Sequence, residues 1–160
     1  MYNGIPTEVI LMKSDEMDST EILHLLVDGV TRKYSNFEDL AWPEMVSTVA
    51  SIKEKLFDKN STEDTWRDPF DFMQILSSKL NTKMAIGHVQ YERLGNMGVR
   101  VSVNKCGPAH KIHAKKIIGP ICPKILLITF LLKSEFPDKK FKVNYSSYTK
   151  NGATSEVLIL

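Results

Sequence analysis

The period of the apolar residues changes at Met84, and that change limits what the chain can fold into. Before it, Met45, Val49, Ile52 and Leu56, and then Phe72, Ile75, Leu76 and Leu80, recur every three or four residues. That spacing gathers them on one face of a helix. After it, Met97, Val99, Val101 and Val103 alternate with Gly98, Arg100, Ser102 and Asn104, as in a strand with one buried face. Helices followed by strands, with no regular βαβ alternation, predict an α+β domain in which a helical layer covers an antiparallel sheet.

Boundaries follow from local chemistry. Asp18-Ser-Thr-Glu21 has the form of a capping box and predicts a helix carrying Ile22, Leu23, Leu26, Val27, Val30 and Tyr34. His24 lies beside that stripe and reads as an ordinary helix residue. Pro43 suits the first turn of a second helix that runs to Phe57, because its missing N–H costs nothing there. Asp68-Pro69 opens a third, with Met73 and Trp66 packing near it. Ile86–Leu94 and Met97–Asn104 flank Gly95-Asn96 as a hairpin, and His88 reads as a sheet residue within it. Pro123 then starts the helix Ile125-Leu-Leu-Ile-Thr-Phe-Leu-Leu, apolar almost all round and therefore buried on more than one side. A second hairpin follows, with Phe141–Ser146, the turn Asn151-Gly152 and the strand Val157–Leu160. The two hairpins give a sheet of about four strands, and the 160 residues form a single domain with an arm (1–17), a helical layer (18–82) and a hairpin–helix–hairpin core (84–160).

Composition bounds the class. With 42% hydrophobic and 25% charged residues the chain is that of a globular domain, and no apolar run reaches the roughly 18 residues of a membrane helix. The first residues lack the pattern of an export signal, so the expected location is the cytoplasm. Residues 1–80 hold 15 Asp/Glu against 8 Lys/Arg, and residues 81–160 hold 4 against 13, which gives −7 and +9. The Lys residues are dispersed and not interleaved with aromatic rings, so mutual neutralisation of the halves, or a homodimer contact, is preferred to nucleic acid.

Between the hairpins both cysteines and two histidines fall close together, as Cys106, His110, His113 and Cys122. Thiolate and imidazole suit zinc, although structural zinc ligands usually come in tight pairs such as C-x2-C. A redox-active thiol pair and an unreactive pair of small side chains are the other readings. Cys122 precedes Pro123 at a helix N-terminus, where the helix dipole favours a thiolate, and is expected to be the more reactive thiol, with Cys106 within reach. A Cys–His nucleophile would lack an orienting group. The chain holds no G-x-S-x-G, no G-x-x-x-x-G-K and no G-x-G-x-x-G, so the reading is of a domain that binds and does not catalyse.

The strand Val99-Arg-Val-Ser-Val-Asn ending near Cys106, the entry Ile121-Cys122-Pro123 to the apolar helix, and Gly152 before a final apolar strand resemble the 4-vinyl reductase, or predicted hydrocarbon-binding, domain family. The resemblance covers about residues 84–160. It implies a fold similar to that of vesicle-tethering subunits that hold an acyl chain in a buried tunnel, and a small-molecule-binding role, frequently in an archaeal or bacterial regulator and often as a dimer. A cysteine that the family usually has four residues after the glycine is here Glu156. The expectation is therefore a sensor or ligand-binding domain for a small hydrophobic molecule. Its cavity would be lined by the helix 124–133 and the strand 97–103, with Phe72, Leu76, Met97, Val99, Val101, Ile125, Ile128 and Leu132 as ligand-binding residues. The alternative is a metal or thiol-redox protein built on Cys106, His110, His113 and Cys122, with zinc as the ion.

Overall fold

The structure, a computed structural model, describes residues 37–58, 60, 64–84, 87–105, 118–119, 121–144 and 146–160. The arm 1–17, the helix expected from Asp18, and Cys106, His110 and His113 lie outside them. Among the described residues, three helices, α1 (Phe37–Leu56), α2 (Pro69–Lys83) and α3 (Pro123–Glu135), accompany six strands: β1 (His88–Leu94), β2 (Gly98–Asn104), β3 (Ile118–Gly119), β4 (Phe141–Val143), β5 (Ser146–Thr149) and β6 (Gly152–Ile159). This is the α+β arrangement that the change of period implies.

The start of α2 obeys capping chemistry. Asp68 caps α2, its carboxylate accepting the Phe70 and Asp71 N–H groups at 2.9 Å, and Pro69 follows where no donor is needed. One turn later the Arg67 guanidinium donates to Asp71 and holds that carboxyl below its ordinary range. Helix α1 departs from expectation, since it begins six residues before Pro43 and carries that proline inside it. A proline within a helix leaves the carbonyl four residues earlier without its usual donor. Beyond it, Val49 and Leu56 are buried and Met45 and Ile52 half-buried, the face that the spacing implies.

The sheet is antiparallel, in the order β1-β2-β6-β5-β3, with β4 also paired to β6. Strand β6 is the spine. It pairs along one side with all of β2, from Gly98↔Leu158 to Asn104↔Gly152. On its other side β5 takes the first part (Thr149↔Gly152) and β4 the last (Val143↔Val157). The closing strand thus begins at Gly152, five residues before the apolar run that revealed it, because its first half alternates small and polar residues.

Inward-facing Val89, Val99, Val101, Val103, Phe141, Val143, Tyr148 and Val157 are buried against the helices. On the opposite face Arg100 lies between Glu92 (2.9 Å) and Glu156 (3.0 Å), and the Ser102 and Thr154 hydroxyls meet at 2.8 Å. One wet and one dry face is the usual state of an antiparallel sheet. Helix α3 packs against α1 on one side and against β2, β4 and β6 on the other, with α2 also in contact. Ile125, Ile128, Leu131 and Leu132 are fully buried there. Each contributes about 1.5–3 kcal/mol by leaving water, so α3 is the centre of the core. Among the described residues no helix is long and apolar enough to cross a membrane.

Candidate functional site

Seven of the eight expected ligand-binding residues, Phe72, Leu76, Val99, Val101, Ile125, Ile128 and Leu132, belong to one cluster and have 1% exposure or less. Met97 does not join them. It is 69% exposed because the loop between β1 and β2 takes three residues, Gly95, Asn96 and Met97, and the alternation of β2 starts only at Gly98.

Of the four expected metal ligands the described residues include Cys122 alone, and among them no group of three His, Cys, Asp or Glu could hold a metal ion. Cys122 is the N-cap of α3, as its place before Pro123 implies. Its surroundings differ from the expectation of a reactive thiol. The residue is fully buried, its N–H donates to Ser146 Oγ at 2.8 Å, and Ser146 Oγ lies 2.6 Å from Ser155 Oγ. Both serines are buried on the inner face of the sheet. The helix dipole argument describes the position correctly, but a nucleophilic thiol must also be reached, and this one is sealed beneath the sheet. His88, at the start of β1, is exposed.

A concave site lies elsewhere, where α1 and α3 end together. A cleft of about 420 Å³ is lined by Ala50, Lys53, Glu54, Phe57, Asp58, Asp64, Trp66, Ser134 and Glu135. Ala50, Lys53, Glu54 and Phe57 are related by steps of three and four, hence one face of the last turns of α1. Ser134 and Glu135 are the last residues of α3. The connection to α2 brings Trp66, whose ring meets Phe57 at 5.2 Å between centroids and Phe72, edge-on, at 4.9 Å. Phe136 packs edge-on to Phe72 at 5.9 Å. The aromatic wall is therefore continuous with the core and cannot swing freely.

The rim is polar and fixed. Glu135 accepts from Lys53 Nζ at 2.6 Å and from Trp66 Nε1 at 2.8 Å, and Lys53 also donates to Ser134 Oγ at 3.2 Å. Asp64, its side chain only 5% exposed, pairs with Lys79 at 3.1 Å and accepts the Asp58 N–H at 3.2 Å. A carboxylate in the last turn of a helix faces the negative end of its dipole. Glu135 tolerates this position because two donors from outside α3 converge on it. The volume lies within the roughly 300–1,000 Å³ usual for small-molecule sites, and an aromatic wall with few convergent polar groups is their usual composition.

Lys53, Asp64, Ser134 and Glu135 carry no local sequence signal, since Lys53 and Glu135 are 82 residues apart in the chain. Phe57 and Trp66 are marked in the sequence only as the end of one helical pattern and as a residue packing near the next. Compared with protein-family models, with curated proteins and with solved structures, the chain finds no match.

Proposed function

We propose that this chain is a non-enzymatic binding module for a small, largely apolar molecule, seated in the cleft between the ends of α1 and α3. The observation that carries the reading is the Phe57–Trp66 wall, held by the core behind it and faced by the Lys53–Glu135–Trp66 network. Such a wall offers apolar area with little left to organise, which lowers the entropic cost of binding. The resemblance of residues 84–160 to the 4-vinyl reductase domains supports a binding role. The seat differs from the expected one, being beside the C-terminal end of α3 instead of along its buried face.

The test uses the neutral fluorescent probe N-phenyl-1-naphthylamine and the variant Ala50→Leu. Ala50 is exposed on α1 and lines the cleft, and leucine is nearly as good a helix former, so the substitution fills the space without touching the core. Saturable enhancement of probe fluorescence in the parent, lost in an Ala50→Leu protein of unchanged melting temperature, is the expected result. No saturable binding, or equal binding in the variant, contradicts the reading.

A further inference from the structure

The hydrogen bonds already made at the rim of the cleft leave two donors without acceptors. Lys53 has three N–H bonds and no lone pair, and two of the three are taken, by Glu135 Oε2 at 2.6 Å and by Ser134 Oγ at 3.2 Å. Because an ammonium cannot accept, Ser134 is the acceptor in that contact and its own O–H is left over. Ser51, Thr82 and Thr129, also within helices, turn the hydroxyl back to the carbonyl four residues earlier, at 3.2, 3.0 and 3.0 Å. Ser134 does not, and among the described residues its hydroxyl hydrogen meets no acceptor. Trp66 Nε1 donates to Glu135 Oε1 at 2.8 Å, so both oxygens of that carboxylate are engaged. What remains is the Ser134 O–H and one Lys53 N–H, on atoms 3.2 Å apart, beside the Phe57–Trp66 wall.

Resting on the binding role proposed above, we infer that the ligand carries an uncharged hydrogen-bond acceptor, a carbonyl oxygen on an otherwise apolar body. The body lies on Phe57 and Trp66, and the oxygen, with its two lone pairs, takes the Ser134 O–H and the remaining Lys53 N–H. Lys53 stands in the last turn of α1 and Ser134 in the last turn of α3, so the acceptor is read by both helices at once. A carboxylate in the same place would stand against Glu135, which already holds Lys53 at 2.6 Å. A ligand that only donates would compete with Lys53 and Trp66 for Glu135 and leave both donors unmet.

Three phenyl compounds of similar size test this in the full chain by displacing N-phenyl-1-naphthylamine: acetophenone, which only accepts, ethylbenzene, which does neither, and benzoate, which is anionic. Ser134→Ala removes one of the two donors and is favourable to the helix. It should raise the ratio of the acetophenone to the ethylbenzene dissociation constant about fivefold, the factor for one net hydrogen bond; the ratio cancels the different cost of taking each compound out of water. Acetophenone should bind tighter than benzoate. In the parent, the carbonyl carbon of labelled acetophenone should move downfield on binding in the carbon magnetic resonance spectrum, as accepted hydrogen bonds draw charge from it. A ratio that Ser134→Ala leaves where it was, a carbonyl signal that stays or moves upfield, or tighter binding of benzoate overturns the inference. If none of the three compounds binds while N-phenyl-1-naphthylamine still does, the inference falls and the binding module stands. If that probe does not bind either, both fall.

Discussion

Gly98 and Gly152 open the two strands at the middle of the sheet, and each lies against the backbone of the other's strand. A Cβ on Gly98 would sit 2.1 Å from the Val157 carbonyl oxygen, and one on Gly152 would sit 2.1 Å from that of Val103. Neither neighbour can rotate away, because both carbonyls belong to the β2–β6 ladder. Gly98→Ala and Gly152→Ala are therefore expected to lose about 1–3 kcal/mol or more in urea unfolding, the usual range of overpacking. Gly95 is the contrast. It has open space around its Cβ position but φ +57°, so Gly95→Ala costs only the left-handed conformation, about 1–2 kcal/mol. Equal tolerance at Gly98 and at an exposed position without positive φ would show that the strands can separate freely. At the same scale, Cys122 is expected to resist brief alkylation near neutral pH and to be labelled only under denaturing conditions, as mass-spectrometric mapping will show. Labelling of the native protein at the rate of a free thiol would mean that the N-terminus of α3 opens.

Among the elements, β1 shows how the free side of this sheet is managed. Among the described residues it pairs only with β2, and a sheet edge invites another strand to add to it. Asn81, near the end of α2, occupies that edge: its Nδ2 donates to the Val89 carbonyl at 2.9 Å and its Oδ1 accepts the Val89 N–H at 2.7 Å. The carboxamide satisfies the two backbone groups that a neighbouring strand would take. Farther along, the Arg93 guanidinium lies 3.8 Å from the centre of the Phe70 ring and covers the junction of β1 with α2. Asn81→Ala should lower stability by about 1–3 kcal/mol, the cost of leaving these groups unpaired, and should yield concentration-dependent association in sedimentation. A monomer of parent stability would contradict this role. Asn81 also marks where sequence reasoning stops. The period of the apolar residues and the chemistry of Asp68-Pro69, Gly95-Asn96 and Pro123 identified the main elements, because capping and alternation act over a few residues. The pairing of Asn81 with Val89, the meeting of Ser146 with Ser155 under Cys122, and the convergence of Lys53 and Trp66 on Glu135 are set by packing between elements. No local pattern records them. The extent of α1 was hidden for the opposite reason, since a local rule about Pro43 was overridden by the residues around it.

At the scale of the molecule, α3 joins the two halves and decides where a site can lie. Its length is buried between α1 and the sheet, where the residues expected to line a cavity belong to the core cluster, and a concave space is found beside its C-terminal end. The same end carries an ion pair between the halves, Lys53–Glu135, which runs opposite to their surplus charges of −7 and +9. A lysine from the acidic half and a glutamate from the basic half are brought together at the cleft, each about three-quarters buried. Such pairs add little to stability when a hydrophobic substitute would serve; here the pair fixes the polar rim. The most direct measurement of the central claim follows the two tryptophan indole N–H signals by nuclear magnetic resonance during titration with N-phenyl-1-naphthylamine. Trp66 lines the cleft, whereas Trp42 packs against Phe130 with ring centroids 5.9 Å apart. The account predicts a saturable shift of the Trp66 signal with Trp42 unmoved. A shift confined to Trp42, or saturable binding of the probe with Trp66 unmoved, would place the ligand elsewhere and contradict it.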